Sequence, residues 1–114
     1  MELPDPTRQR VERELAAFCE RKVPIHVRDQ VRLAFDVEGT DITLFEERPP
    51  FGGGACWTRR PITQFRFNDA AAEWSLYCQD QRLRWQRFTR AEPVKAIGAL
   101  LHVIEIDETR IFWG

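Results

Sequence analysis

Between Trp57 and Arg90 the chain carries seven arginines and no lysine, interleaved with Trp57, Phe65, Phe67, Trp74, Tyr77, Trp85 and Phe88. A guanidinium group is planar and weakly hydrated. It stacks on rings and grips carboxylates or phosphates with two prongs, where an ammonium acts as a point charge. The combination points to recognition through flat contacts. Strand alternation places Gln64, Arg66, Tyr77, Arg84 and Gln86 on one polar face. Arg59 and Arg60 would form its rim, and Arg82, Arg87 and Arg90 would extend it. Such a face can stack bases and hold phosphates, as single-strand binders do. It is also the solvated face that any one-sided sheet presents.

Other chemistries leave weaker traces. Cys56 follows a glycine run and precedes Arg59 and Arg60, cations that lower a thiol pKa when they lie close. No histidine stands near it in sequence to serve as base. Cys19 and Cys78 fall on apolar stripes and read as small core residues. His26 and His102 are far apart and form no ligand pair with the cysteines, so no metal or other cofactor is expected. Gly52-Gly53-Gly54 lacks the Gly-Lys-Ser/Thr that completes a phosphate loop, and flexibility is its simpler meaning. Glu46 and Glu47 are adjacent on a strand and point to opposite faces, so they cannot work as a carboxylate pair. Asp107-Glu108 sits in a turn and reads as solvated.

The bulk numbers set limits. The 114 residues are 43% hydrophobic and 31% charged, with net charge −1. That fits one soluble globular domain over residues 1–114, large enough to bury a core without disulfides. The near-neutral charge argues against a general nucleic-acid binder. The charge is uneven. By segment it is −3 for residues 1–56, +4 for 57–90 and −2 for 91–114. No apolar run reaches the roughly 20 residues of a membrane span. The acidic N-terminus lacks the features of a signal peptide, and three widely spaced cysteines fit a reducing compartment. A cytoplasmic protein with no membrane association is the expectation.

The elements that must position these residues follow from periodicity. Asp5 as N-cap and Pro6 at the first helical position start a helix over about 6–22, with Val11, Leu15, Phe18, Cys19 and Lys22 on one stripe. Val31, Leu33, Phe35 and Val37 alternate with polar residues. Gly39-Thr40 makes a two-residue turn, and the return strand covers Asp41 to Arg48. That register sets Val37 opposite Ile42, Phe35 opposite Leu44 and Arg32 opposite Glu47. The segment from Pro49 to Ala55 is a loop. A three-strand meander follows over 62–67, 73–79 and 83–88, with Asp80-Gln81 closing its last turn. Phe65, Phe67, Trp74, Leu76, Cys78, Leu83 and Trp85 then share the apolar face. Pro93 opens a second helix with Val94, Ile97, Leu100, Leu101 and Ile104 on its stripe. Ile111-Phe112-Trp113 should dock onto the domain.

Arg48-Pro49-Pro50, Trp57-Thr58-Arg59, Trp74-Ser75-Leu76-Tyr77, the run from Asp80 to Phe88 and Ile111-Phe112-Trp113-Gly114 together carry a resemblance. From about Phe18 onward the chain resembles a family of small bacterial proteins known as domain of unknown function 3024. Cys78 stands where that pattern has another tryptophan, and Phe51-Gly52-Gly53-Gly54 is a loosened form of its loop. The resemblance implies a bacterial, cytoplasmic protein. It brings no activity, substrate or catalytic residue.

The expected architecture is α+β: an N-terminal helix, an antiparallel sheet of about five strands, a C-terminal helix and a docked tail, with the helices covering the apolar face. The expected function is a non-catalytic binding module that uses the Arg/Tyr/Gln face. Single-stranded nucleic acid binding, and an enzyme working through Cys56, are the alternatives. A protein partner or a second copy paired through an open strand edge remains open.

Overall fold

The computed structural model describes residues 2–50 and 56–113. The elements run α1 (Asp5–Lys22), a 3-10 turn (Ile25–Val27), β1 (Arg32–Glu38), β2 (Asp41–Arg48), β3 (Thr58–Asn68), β4 (Glu73–Gln79), β5 (Trp85–Arg87) and α2 (Ile97–Ile106). The five strands form one antiparallel sheet in chain order, β1-β2-β3-β4-β5. The loop read at 51–55 lies outside the described residues.

The first hairpin forms in the register that its alternation dictates. Val37 faces Ile42, Phe35 faces Leu44 and Arg32 faces Glu47. Gly39 takes φ 61°, the left-handed value that the first turn position requires and that glycine adopts without a Cβ penalty. α1 begins one residue earlier than the capping pattern implies. Pro4 is its N-cap, no side chain bonds there, and Asp5 lies inside the first turn, where its charge still favours the helix dipole. Val11, Leu15 and Phe18 are buried on its inner stripe. The helix stops at Val23, whose extended backbone is what a following proline demands.

β3 is longer than the pattern around Ile62 suggests. It starts at Thr58 and runs through Pro61, opposite Phe45. The β2–β3 register shifts between Leu44 and Phe45, and the bulge accommodates a proline that a regular ladder would reject. Ile62 and Thr63 are both buried, and the Thr63 hydroxyl donates to the Tyr77 carbonyl.

The last turn departs most from expectation. A two-residue turn at Asp80-Gln81 would set Gln79 opposite Arg82, whereas the structure sets Gln79 opposite Trp85. Five residues separate them, and Leu83, at φ 62°, is 73% exposed in the turn. The displacement is odd, so it exchanges the faces of β5. Trp85 therefore joins the face opposite the core, Gln86 lies beside Cys78, and Leu83 belongs to neither face.

α2 starts at Ile97, not at Pro93. Val94 is taken up by a β-bridge to Trp74, with bonds of 2.7 and 2.9 Å in the two directions. Ile97, Leu100, Leu101 and Ile104 are buried, Val103 is partly buried against the core, and Ile106 is exposed. Both helices and the sheet share one apolar cluster that includes Phe18, Ile42, Leu44, Phe65, Trp74, Leu76 and Phe112. α1 packs on β1 and α2, and α2 packs on β4.

The tail docks. Phe112 is 2% exposed and meets the Phe88 ring edge-on at 5.2 Å. The Trp113 indole N–H donates to the Ile104 carbonyl at 2.6 Å. Asp107, left-handed at φ 49°, accepts from the backbone N–H of Phe112 (3.2 Å) and of Trp113 (2.9 Å). It thus ends the helix and latches the tail, the opposite of the solvated role read from sequence. Asp107→Ala removes both bonds and leaves a Cβ residue in the left-handed region. We expect a loss of about 2 kcal/mol in denaturant unfolding, and a much smaller loss for Asp107→Asn.

Candidate functional site

The face of the sheet away from the helices carries side chains in rows set by the register. Asp36, Thr43, Gln64, Tyr77 and Arg87 form one row across all five strands. Glu38, Asp41, Arg66 and Ser75 form the next, towards the first hairpin turn. Arg32, Glu47 and Arg59 lie at the other end, and Phe45 and Trp85 share this face.

Three of the sequence-derived candidates come together. The Arg66 guanidinium sits over the Tyr77 ring, 4.0 Å from its centroid, and its Nε donates to Gln64 Oε1 at 2.7 Å. The Gln64 amide donates in turn to Thr43 Oγ1 at 3.0 Å. A stacked, hydrogen-bonded arginine has few rotamers left to lose when a ligand arrives.

The rest are deployed differently. Arg59 stacks on Phe45 at 4.1 Å and bonds both Asp36 (2.9 Å) and Glu47 (2.8 Å). The hydrogen bond to Asp36 comes first among the causes that raise its pKa further; Glu47 adds to it. Arg32 stacks on Trp57 at 3.9 Å and shares Glu47 at 2.8 Å. Arg60 turns to Glu46 at 3.7 Å, on the register of the opposite face. Arg84 is not on a strand at all. It lies in the β4–β5 turn, 3.4 Å from Asp80. Gln86 also reaches Asp80, at 3.3 Å. Phe45, Trp57 and Trp85 were not singled out for this face from sequence. Parity opposite Leu44 could have found Phe45; nothing local announces the side taken by Trp85.

Asp80 organises the turn that flips β5. Its Oδ1 accepts from the backbone N–H of Arg82 (2.8 Å) and Arg84 (3.0 Å). The Arg84 bond is the chief reason that its carboxyl titrates below the usual value of 3.8. Because the folded value is depressed, the latch is in place above about pH 4 and weakens as pH falls through the folded value.

Cys56 is exposed, but the guanidinium groups of Arg59 and Arg60 are directed to carboxylates. A cleft of about 460 Å³ lies by the tail, lined by Phe88, His102, Val103, Ile106, Asp107 and Phe112, among others. Cys56 does not line it. Among the described residues, no cluster of three His, Cys, Asp or Glu could hold a metal ion, and no helix is long and apolar enough to cross a membrane.

Fold and site define an α+β protein whose sheet is lidded on one side and presents an arginine–aromatic layer on the other. The chain belongs to the family described as Domain of unknown function (DUF3024), which it matches over residues 3–114, from further upstream than Phe18. No curated protein and no solved structure matches it significantly.

Two measurements follow. In an acid NMR titration the Asp80 carboxyl and the amides of Arg82 and Arg84 should move together with a midpoint below 3.8; Asp80→Asn should abolish the joint transition. In thiol alkylation at neutral pH, Cys56 should react first. Burial, with Glu20 adding, pushes the Cys19 thiol up to about 11 against an ordinary 9.0, leaving about a hundredfold less thiolate.

Proposed function

We propose that this chain is a non-catalytic binding module of the bacterial cytoplasm whose contact surface is the open sheet face centred on Gln64, Arg66 and Tyr77. The observation that carries the reading is the Arg66–Tyr77 stack braced by Gln64, on a face that neither helix covers. Phe45, Tyr77 and Trp85 are each half-buried there, so flat apolar area lies between charged groups. Aromatics and arginine are the residue types that anchor protein interfaces.

A protein surface of mixed charge fits this face better than a nucleic-acid strand. Arg32, Arg59, Arg66 and Arg87 share it with Asp36, Glu38, Asp41 and Glu47, so a polyphosphate would meet as many carboxylates as guanidinium groups. Arg84 and Arg60, once counted with the site, fall outside the contact surface in this reading.

The test is cross-linked capture from a bacterial lysate, with the cross-linked residues mapped on this chain. Arg66→Glu combined with Tyr77→Ala should reduce the captured partner at least tenfold while the melting temperature stays within a few degrees. Cross-links at Gln64, Tyr77 and their neighbours are expected; capture unchanged by the double variant would overturn the reading. Labelled single-stranded oligonucleotides at low salt should give no anisotropy change. Binding that weakens steeply with salt would transfer the site to nucleic acid.

A further inference from the structure

The open edge of the sheet carries a second surface, which borders the face just described and shares Arg32 and Glu38 with it. β1 is seven residues long, Arg32 to Glu38, and among the described residues it pairs on one side only, with β2. An edge strand exposes a row of backbone N–H and C=O groups that will pair with any compatible strand. Proteins usually blunt such edges with charged side chains, proline, a bulge or a very short strand, and of these β1 has only charges, of both signs. The opposite edge is blunted by shortness and by a bridge: β5 has three residues, and Val94 caps the remainder of β4 at Trp74. β1 contains no proline, and its ladder with β2 has no register shift.

Its side chains are also incompletely covered. Leu33, Phe35 and Val37 point to the core side but are half-buried, whereas Ile42 and Leu44 beside them on β2 are 0% exposed. Leu33 walls a shallow cleft of about 140 Å³ together with Cys19 and Val23. Apolar area at the sheet margin therefore remains open to water.

The sequence of this edge is complementary to itself. We propose that β1 pairs antiparallel with β1 of a second copy, with Phe35 on the two-fold axis. That register uses all seven residues. Arg32 stands opposite Glu38, Leu33 opposite Val37, Ala34 opposite Asp36, and Phe35 opposite Phe35. Opposite charges meet at both ends, and apolar pairs meet on the core side, each a favourable cross-strand combination. Arg32 bonds Glu47 through Nε, so its terminal nitrogens face no acceptor among the described residues and are open to Glu38 of the second copy. Parallel in-register pairing would instead set Arg32 on Arg32 and Glu38 on Glu38. Because equivalent residues meet at the axis, the axis is normal to the sheet. The helices of both copies then lie on one side, and two five-stranded sheets join into one of ten.

Sedimentation velocity from micromolar to submillimolar concentration tests this. The native chain should pass from monomer to dimer. Glu38→Arg, an exposed substitution checked for folding by circular dichroism, sets Arg32 against arginine twice per dimer and should weaken association about tenfold or more. Arg32→Glu alone should do the same. An equimolar mixture of the two variants should restore the dimer, since both end pairs become opposite in charge. Phe35→Cys should cross-link copies on oxidation, because directly opposed residues lie within disulfide reach; peptide mapping separates this bond from bonds at Cys19, Cys56 or Cys78. A chain that stays monomeric throughout overturns the proposal. So does a dimer that Glu38→Arg leaves intact, or one in which the mixture fails to recover. Since the test touches neither Arg66 nor Tyr77, its failure leaves the open-face reading standing.

Discussion

Side chains alternate along a strand, and this sheet has helices against one side only. Every strand residue of β1 to β5 is therefore assigned to core or surface by the parity of its pairing. The first hairpin keeps parity across a glycine turn, so Ile42 and Leu44 reach the core while Thr43 and Phe45 face outward. The bulge at Leu44/Phe45 resets it, which allows Ile62 and Thr63 to be buried in succession without turning Gln64 and Arg66 inward. The Asp80 turn resets it again and sends Trp85 to the outside. A last turn one residue shorter or longer would return Trp85 to the core side, whereas the Arg66–Tyr77 stack depends on the β3–β4 pairing alone.

The outer face is built by sharing rather than by accumulation. Glu47 is only 13% exposed and holds Arg32 and Arg59 at 2.8 Å each, while each guanidinium also covers a ring. Exposed ion pairs add little to stability one by one, but a carboxylate held between two stacked arginines fixes the geometry of both. The surface that results is flat and preorganised and carries no net charge in that cluster: Arg32 and Arg59 are balanced by Glu47 and Asp36. The +4 charge of residues 57–90 is thus largely countered by carboxylates from outside that segment, Asp36, Glu46, Glu47 and Glu108, rather than projected as a basic patch. Segment charge predicts a field only when the neighbours in space are the neighbours in sequence, and here they are not.

The same distinction explains what could be read from the chain alone. The β1–β2 register, the bounds of β2 and β4, the stripe of α1 and the docking of Phe112 rest on local periodicity or on the cost of exposing large apolar groups, and both are visible in sequence. The grouping of Gln64, Arg66 and Tyr77 needed only the β3–β4 pairing, which a short turn fixes. Arg84, Gln86 and Trp85 needed the length of the next turn. That length is set by one carboxylate accepting two backbone N–H bonds and by a leucine in a left-handed conformation, a choice that propensity does not favour. Pro93-Val94 looked like a helix start because proline suits a first turn. The alternative, a bridge that seals the edge of β4 beside Trp74, depends on residues twenty positions away.

Trp74 shows why that bridge forms. Its indole is 1% exposed, packs at a tilt against Phe67 with ring centroids 4.8 Å apart, and lies at the margin of the sheet, where a backbone left unpaired would admit water beside the largest buried ring in the molecule. Pairing Val94 there closes the edge and sets the point from which α2 must start. Among the described residues, no equivalent occurs at β1. Its neighbour in space is α1, which covers the core side of the strand but cannot satisfy the outward row of peptide groups. One edge of the sheet is thus completed by the chain itself, while the other ends in groups that only water or another strand can satisfy. Half-buried Leu33, Phe35 and Val37 tip that balance towards a strand, because pairing removes apolar area as well as satisfying the peptides.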